Sequence, residues 1–173
     1  MKTSKQALAI RAMVENLIKI ERCNFAELWI IGIDPAVAKP NAIAIFNNEK
    51  LVDHGKGLSF LDMALDQIRS RKKSVIVGLE VPYLGINPQA SLKLAEQCGI
   101  IKNKYQQFPI IDILATSWMS AIKIKTKRSK SRDEHLIKLG EFAHGCFAND
   151  IDIACAVHIG AHLSRRIKSE YLN

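Results

Sequence analysis

The chain has 173 residues, 48% hydrophobic and 24% charged. That is enough for one domain whose core needs no disulfide or metal, and it excludes a disordered chain. The net charge of +8 and pI of about 9.4 suit a phosphate backbone, an anionic lipid surface or an acidic protein as partner.

The four cysteines, Cys23, Cys98, Cys146 and Cys155, are scattered and no pair has C-x-x-C spacing. They read as reduced thiols in a cytosolic protein. No apolar run reaches bilayer length. Arg11 and Glu15 interrupt the N-terminal apolar pattern, which argues against a signal peptide. The expected location is the cytoplasm.

In chain order, residues 4–22 are predicted helical, with Ile10, Met13, Val14 and Leu17 on one face and Thr3 or Ser4 as the cap. This segment forms an N-terminal helical extension (residues 1–28) that packs on the domain or on a partner subunit. The domain proper spans 29–173. Residues 28–34 form an apolar run that suits a strand buried on both faces. Residues 42–47 and 50–57 follow as a hairpin turned at Asn47-Asn48. A helix over 60–71 buries Leu61, Ala64, Leu65 and Ile68, and a second buried strand covers 74–80. Asn87 caps a helix with Pro88 at its first position, which Gly99 ends after about Cys98. A fifth strand is expected at 109–114, a basic loop at 123–132 and a helix at 133–144. Asn149 is expected to cap a last helix reaching about Arg166. Hairpin strands followed by βα crossovers imply an α/β fold, a mixed five-stranded sheet with helices on its faces.

Three acids end or open these elements. Asp34 ends the first strand, Glu80 ends the fourth, and Asp152 opens the last helix. Ligand sites in such sheets lie beyond the carboxyl ends of parallel strands. If the first and fourth strands are neighbours, Asp34 and Glu80 lie about 5 Å apart. Carboxylates so close repel unless a cation intervenes, and Mg²⁺ or Mn²⁺ prefers such hard oxygen ligands. Two such ions promote phosphodiester hydrolysis. Each acid also has a plain structural role open to it. Asp34-Pro35 is a turn opener, Glu80 a solvated strand end, and Asp152 a partner of its helix dipole.

Ile31-Gly-Ile-Asp-Pro35, the run from Leu79 to Ala90 with its strand-end glutamate and helix-opening asparagine, and Asn149-Asp-Ile-Asp152 with Ala154, Ala156 and His158 together resemble the motifs of RuvC-type Holliday-junction resolvases. The resemblance covers residues 29 to 165 and is most specific in the second block. It implies an RNase H-like fold, a homodimer, Mg²⁺ or Mn²⁺, and paired nicking of four-way DNA junctions. It places Asp34, Glu80 and Asp152 on the metal-binding acids.

The departures are local. Ala36 stands where the family has glycine. Asn149 stands where it has a fourth acid, so Asn149 or the adjacent Asp150 completes the metal set. Met119 stands where a lysine follows the tryptophan, which leaves the basic catalytic role to Lys123 or Lys130, or to none.

Lys123, Lys125, Lys127, Arg128, Lys130 and Arg132 fill six of ten positions. The run is either a solvated charge face or a phosphate-contacting border of the acidic site. Tyr83, three residues beyond Glu80, is either a core tyrosine or a ring that stacks on an unpaired base. Cys155, His158 and His162 share a helical face with zinc-ligand chemistry, but no fourth ligand is evident.

Two alternatives accompany the resolvase expectation: a nuclease acting on RNA or an RNA–DNA hybrid, and a junction-binding protein that cuts weakly. If the basic run contacts DNA, neutralising Lys125, Lys127 and Arg128 together weakens binding alike across sequences. It also flattens the salt dependence by about one unit of slope per lost phosphate contact. An unchanged slope in an anisotropy titration would place the run away from DNA.

Overall fold

A computed structural model of the chain describes Ala12 and residues 27–71, 73–82, 87–124, 129–145 and 149–171. The predicted N-terminal helix, apart from Ala12, lies outside the described residues, as do Tyr83, Lys125, Lys127 and Arg128.

Three strands come first: β1 (Trp29–Asp34), β2 (Ala42–Asn47) and β3 (Lys50–Lys56). Helix α1 (Leu58–Ser70) leads to β4 (Val75–Val81), and α2 (Pro88–Lys104) leads to β5 (Ile110–Leu114). Three helices close the chain: α3 (Ala115–Ala121), α4 (Lys130–His144) and α5 (Ile151–Tyr171). The sheet order is β3-β2-β1-β4-β5. Strands β1, β2 and β3 pair antiparallel, whereas β1–β4 and β4–β5 pair parallel. The result is an RNase H-like α/β fold, a mixed five-stranded sheet flanked by helices.

Alternation along the strands sorts the core into two layers. Ile30, Ala42, Ala44, Phe46, Ile76, Ile111 and Ile113 pack against α3, α4 and α5. Trp29, Ile31, Ile33, Ile43, Val77 and Leu79 pack against α1 and α2. The two-residue turn from β2 to β3 is Asn48-Glu49, one position later than expected. Asn47 pairs with Lys50, and Asn48 takes the left-handed conformation (φ 56°) that asparagine tolerates. Helix α1 buries the four predicted residues.

Three expectations are corrected. Gly99 does not end α2, which runs on to Lys104. The glycine is exposed and helical, and buried Cys98 and Ile101 carry the apolar face past it. The stretch 123–132 is not all loop. Ser129 Oγ accepts from Arg132 N at 3.2 Å, which starts α4 at Lys130. Asn149 does not cap α5. It is exposed with φ 54°, and the Asp150 carboxylate accepts instead from the amides of Asp152 (3.0 Å) and Ile153 (3.2 Å). Helix α3 had no sequence expectation of its own.

Helix α5 lies unusually close to the sheet. A Cβ on Gly32 of β1 would sit 2.2 Å from the Ala156 carbonyl oxygen and 2.5 Å from Gly160 N. A Cβ on Gly160 would enter the Phe46 ring at 2.6 Å. Gly78, the register partner of Gly32 on β4, leaves room for Leu163 and Ile159 of the same helix. Gly32→Ala therefore drives a methyl into rigid backbone and is expected to cost about 3 kcal/mol or more. Gly99→Ala adds a methyl where nothing lies within 4 Å and is expected to add about 0.5–1 kcal/mol of stability. Urea midpoints of the two variants should move in opposite directions.

Candidate active site

Period-two alternation fixes where the strand acids point. Ile30, Gly32 and Asp34 share one face of β1, and Ile76, Gly78 and Glu80 share the same face of β4. The parallel register runs through Gly32 with Gly78 and Ile33 with Leu79. Carried one residue further, it sets Asp34 beside Glu80. This is the point where the strand order reverses between β1 and β4, at the carboxyl ends of both strands. Helix α5 covers the same face and brings Asp152 in its first turn. An open cleft there is lined by Asp34, Pro35, Val37, Lys39 and Asp152.

Half-buried Cys155 follows Asp152 on α5. Its pKa is pushed up by burial and then by the negative charges of Asp34, Glu80 and Asp152 around it. Burial likewise raises the Glu80 carboxyl above its ordinary range. The Trp118 indole, donating to Glu80 Oε2 at 2.7 Å, and the nearby Arg132 charge offset part of this rise. Trp118 is itself fully buried in α3 and stacks on the His158 ring at 5.8 Å.

Asp152 meets two lysines. Lys39 Nζ lies 2.6 Å from Oδ1 and 2.5 Å from Oδ2, and Lys56 Nζ lies 3.5 Å from Oδ2. Lys56 also pairs with Asp150 at 2.6 Å. Asp150 is drawn up by burial, but the Lys56 ammonium and the two α5 amides outweigh this and leave its pKa lowered. The same contact, foremost, raises Lys56.

The remaining candidates divide. Arg132 is turned inward, its side chain only 13% exposed, and it donates to Asp133 at 2.7 Å. Lys123 and Lys130 are exposed, one following α3 and the other opening α4. Asn149 is exposed at the mouth of α5. The zinc face does not form. His158 Nε2 bonds the Leu136 carbonyl at 2.9 Å, and His162 Nε2 meets Ser117 Oγ at 3.0 Å. Burial foremost, then Arg166 and Arg165, lowers the His162 pKa to about 4.

Among the described residues, no three His, Cys, Asp or Glu side chains are gathered to hold one ion in this arrangement. Nor is any helix long and apolar enough to cross a membrane. A second cavity, lined by apolar Trp29, Phe60 and Met63 and by Asp53, Gln67 and Arg71, adjoins the opposite core layer, away from the three acids.

Sequence reasoning did not assign Lys39, Lys56 or Trp118 to the site. Lys39 carries no signal beyond its closeness to Asp34. Lys56 needs the β2–β3 register to come near. Trp118 was visible as the residue before Met119, without a partner.

Fold and site together define an RNase H-like α/β domain with carboxylates at the ends of adjacent parallel strands. No family model matches the chain, and no curated protein matches its sequence. Among solved structures it is similar to Thermus thermophilus RuvC, with a TM-score of 0.57 and 12% identity over 82% of this chain and 95% of that one. It is similar also to Thermus thermophilus RuvC in complex with Holliday junction substrate, with a TM-score of 0.57 and 11% identity over 82% and 94%. At such identity the likeness is one of fold.

Because the Glu80 pKa is raised in the folded chain, the folded state holds more protons than the unfolded state between the two pKa values. Stability is therefore lost as pH rises through that window, and the loss is complete above the folded value. Glu80→Gln keeps an oxygen for the Trp118 indole and removes the buried charge. Its urea midpoint in EDTA should exceed the parent's at pH 7, with the gain fading as pH falls to about 4. Equal midpoints at both pH values would mean that Glu80 carries no such burden.

Proposed function

We propose that the chain is a divalent-metal-dependent, structure-specific endonuclease that resolves four-way DNA junctions by paired nicks, working as a two-fold symmetric homodimer. One observation carries this reading: Asp34, the last residue of β1, and Glu80, the penultimate residue of β4, share the face over which α5 presents Asp152. The likeness of fold to a RuvC solved with a Holliday junction supports the choice of substrate. The basic balance of the chain suits the same partner.

The donor set fits Mg²⁺ or Mn²⁺. Asp34 and Asp152 line one open cleft, Glu80 follows from the β1–β4 register, and all their donors are hard oxygens. Asp34, Glu80 and Asp152 would hold the metal, with Asp150 or Asn149 completing the set. When bound, it supplies Lewis-acid polarisation and charge neutralisation at the phosphodiester. The chain's own residues orient the site. Trp118 fixes one Glu80 oxygen, and Arg132 places a positive charge behind it. Lys123 or Lys130 supplies the exposed positive charge for phosphate. Lys125, Lys127 and Arg128 extend the DNA contact, whereas Arg132, turned inward onto Asp133, does not, and Tyr83 stacks at the junction centre. A two-fold dimer gives one active site to each of two equivalent strands.

Asp150 is committed to capping α5 and to Lys56. This favours, as second reading, a junction-binding protein that cuts slowly.

The test is cleavage of a labelled four-way junction, a duplex and an RNA–DNA hybrid, each with Mg²⁺, Mn²⁺ or EDTA. Preferential paired nicking of the junction with metal is expected. Asp34→Asn, Glu80→Gln and Asp152→Asn should each lower the rate by about 10²- to 10³-fold without loss of folding. Near-normal cutting by any one removes that residue from the metal set. Preference for the hybrid would replace the resolvase reading with an RNA-directed one.

A further inference from the structure

Two lysines from separate elements converge on the first turn of α5. Lys39 lies in the β1–β2 loop, which is built rather than loose. Buried Asn41 accepts from Ala36 N through its side chain at 2.9 Å, and its carbonyl accepts from Gly57 N at 2.8 Å. The second bond ties the Lys39 loop to the end of β3, where Lys56 stands opposite Ala42. One ammonium thus chelates both Asp152 oxygens, while the other bridges Asp150 and Asp152.

Those are the oxygens a divalent ion would need. The exposures are unequal. The Asp152 side chain is 16% exposed, whereas that of Lys39 is 51% exposed. The acid is held in place, and the lysine has solvent into which it can withdraw.

We propose that Lys39 and Lys56 are resident cations of the site, which occupy Asp152 until a divalent ion displaces them. Metal loading then works against an internal competitor, and without metal the two carboxylates at the head of α5 keep two counter-cations. This rests on Asp152 being a metal ligand, as proposed above. An exposed ammonium held by a carboxylate competes weakly, so the lysines should reduce metal affinity by a few-fold rather than abolish it.

Two measurements test this, neither of them activity. Urea unfolding in EDTA is compared for the parent, Lys39→Gln/Lys56→Gln, Asp152→Asn and the combined variant. The lysine substitutions should destabilise the parent more than the Asp152→Asn background. Calorimetric titration with Mn²⁺ should then show Lys39→Gln/Lys56→Gln binding about three- to fivefold more tightly than the parent. Asp152→Asn should remove that difference. The charge-matched variant Lys104→Gln/Lys168→Gln should bind like the parent.

No coupling in EDTA overturns the proposal. So does equal Mn²⁺ affinity in parent and lysine variant, or equal tightening in the charge-matched variant. If parent and lysine variant both fail to bind Mn²⁺ while the coupling persists, the metal-site reading itself fails and takes the exchange with it. Binding that Asp152→Asn weakens, but the lysine variant leaves unchanged, overturns the exchange alone.

Discussion

The close approach of α5 to the sheet is the contact on which the rest depends. Gly32 and Gly160 meet with no space for a methyl on either, and the Phe46 ring closes the other side of Gly160. Gly78, opposite Gly32, widens the trough toward β4. Each strand glycine stands two residues before a strand-end acid, on the same face. The alternation that clears a path for the helix therefore also points Asp34 and Glu80 toward it. A bulkier residue at Gly32 would lift α5 and carry Asp152 away from the strand ends. Packing and chemistry are set by one crossing.

That crossing gathers negative charge in a partly dry place, and the chain answers with cations and donors from four directions. Trp118 on α3 donates to Glu80, and Arg132 on α4 lends it a positive charge. Lys39 and Lys56 hold the acids at the head of α5. Carboxylates in such a setting are costly without partners.

Much of this was legible in the sequence because it rests on short-range periodicity. The buried strands around Gly32 and Gly78, the hairpin, and the apolar face of α1 follow from period two and period 3.6. The three acids followed from their place at element ends. What escaped depends on tertiary context. Gly99 looks like a helix stop, yet Cys98 and Ile101 dock the helix beyond it. Asn149 and Asp150 are both good caps, and only the structure shows Asp150 accepting the amides. The α4 start was hidden because charge density around Lys130 and Arg132 suggested a solvated loop, while Ser129 was already a cap. Lys39 and Lys56 lie 113 and 96 residues from Asp152, and no local pattern links them.

Asp34, Glu80 and Asp152 are proposed to form one cation-binding site. Its most direct test is a crystal of the full chain grown with Mn²⁺, with anomalous diffraction collected above the manganese edge. An anomalous peak bordered by carboxylate oxygens of Asp34, Glu80 and Asp152 is expected, with Lys39 withdrawn from Asp152. Manganese bound elsewhere, or no manganese with Lys39 still chelating Asp152 at saturating Mn²⁺, would contradict it.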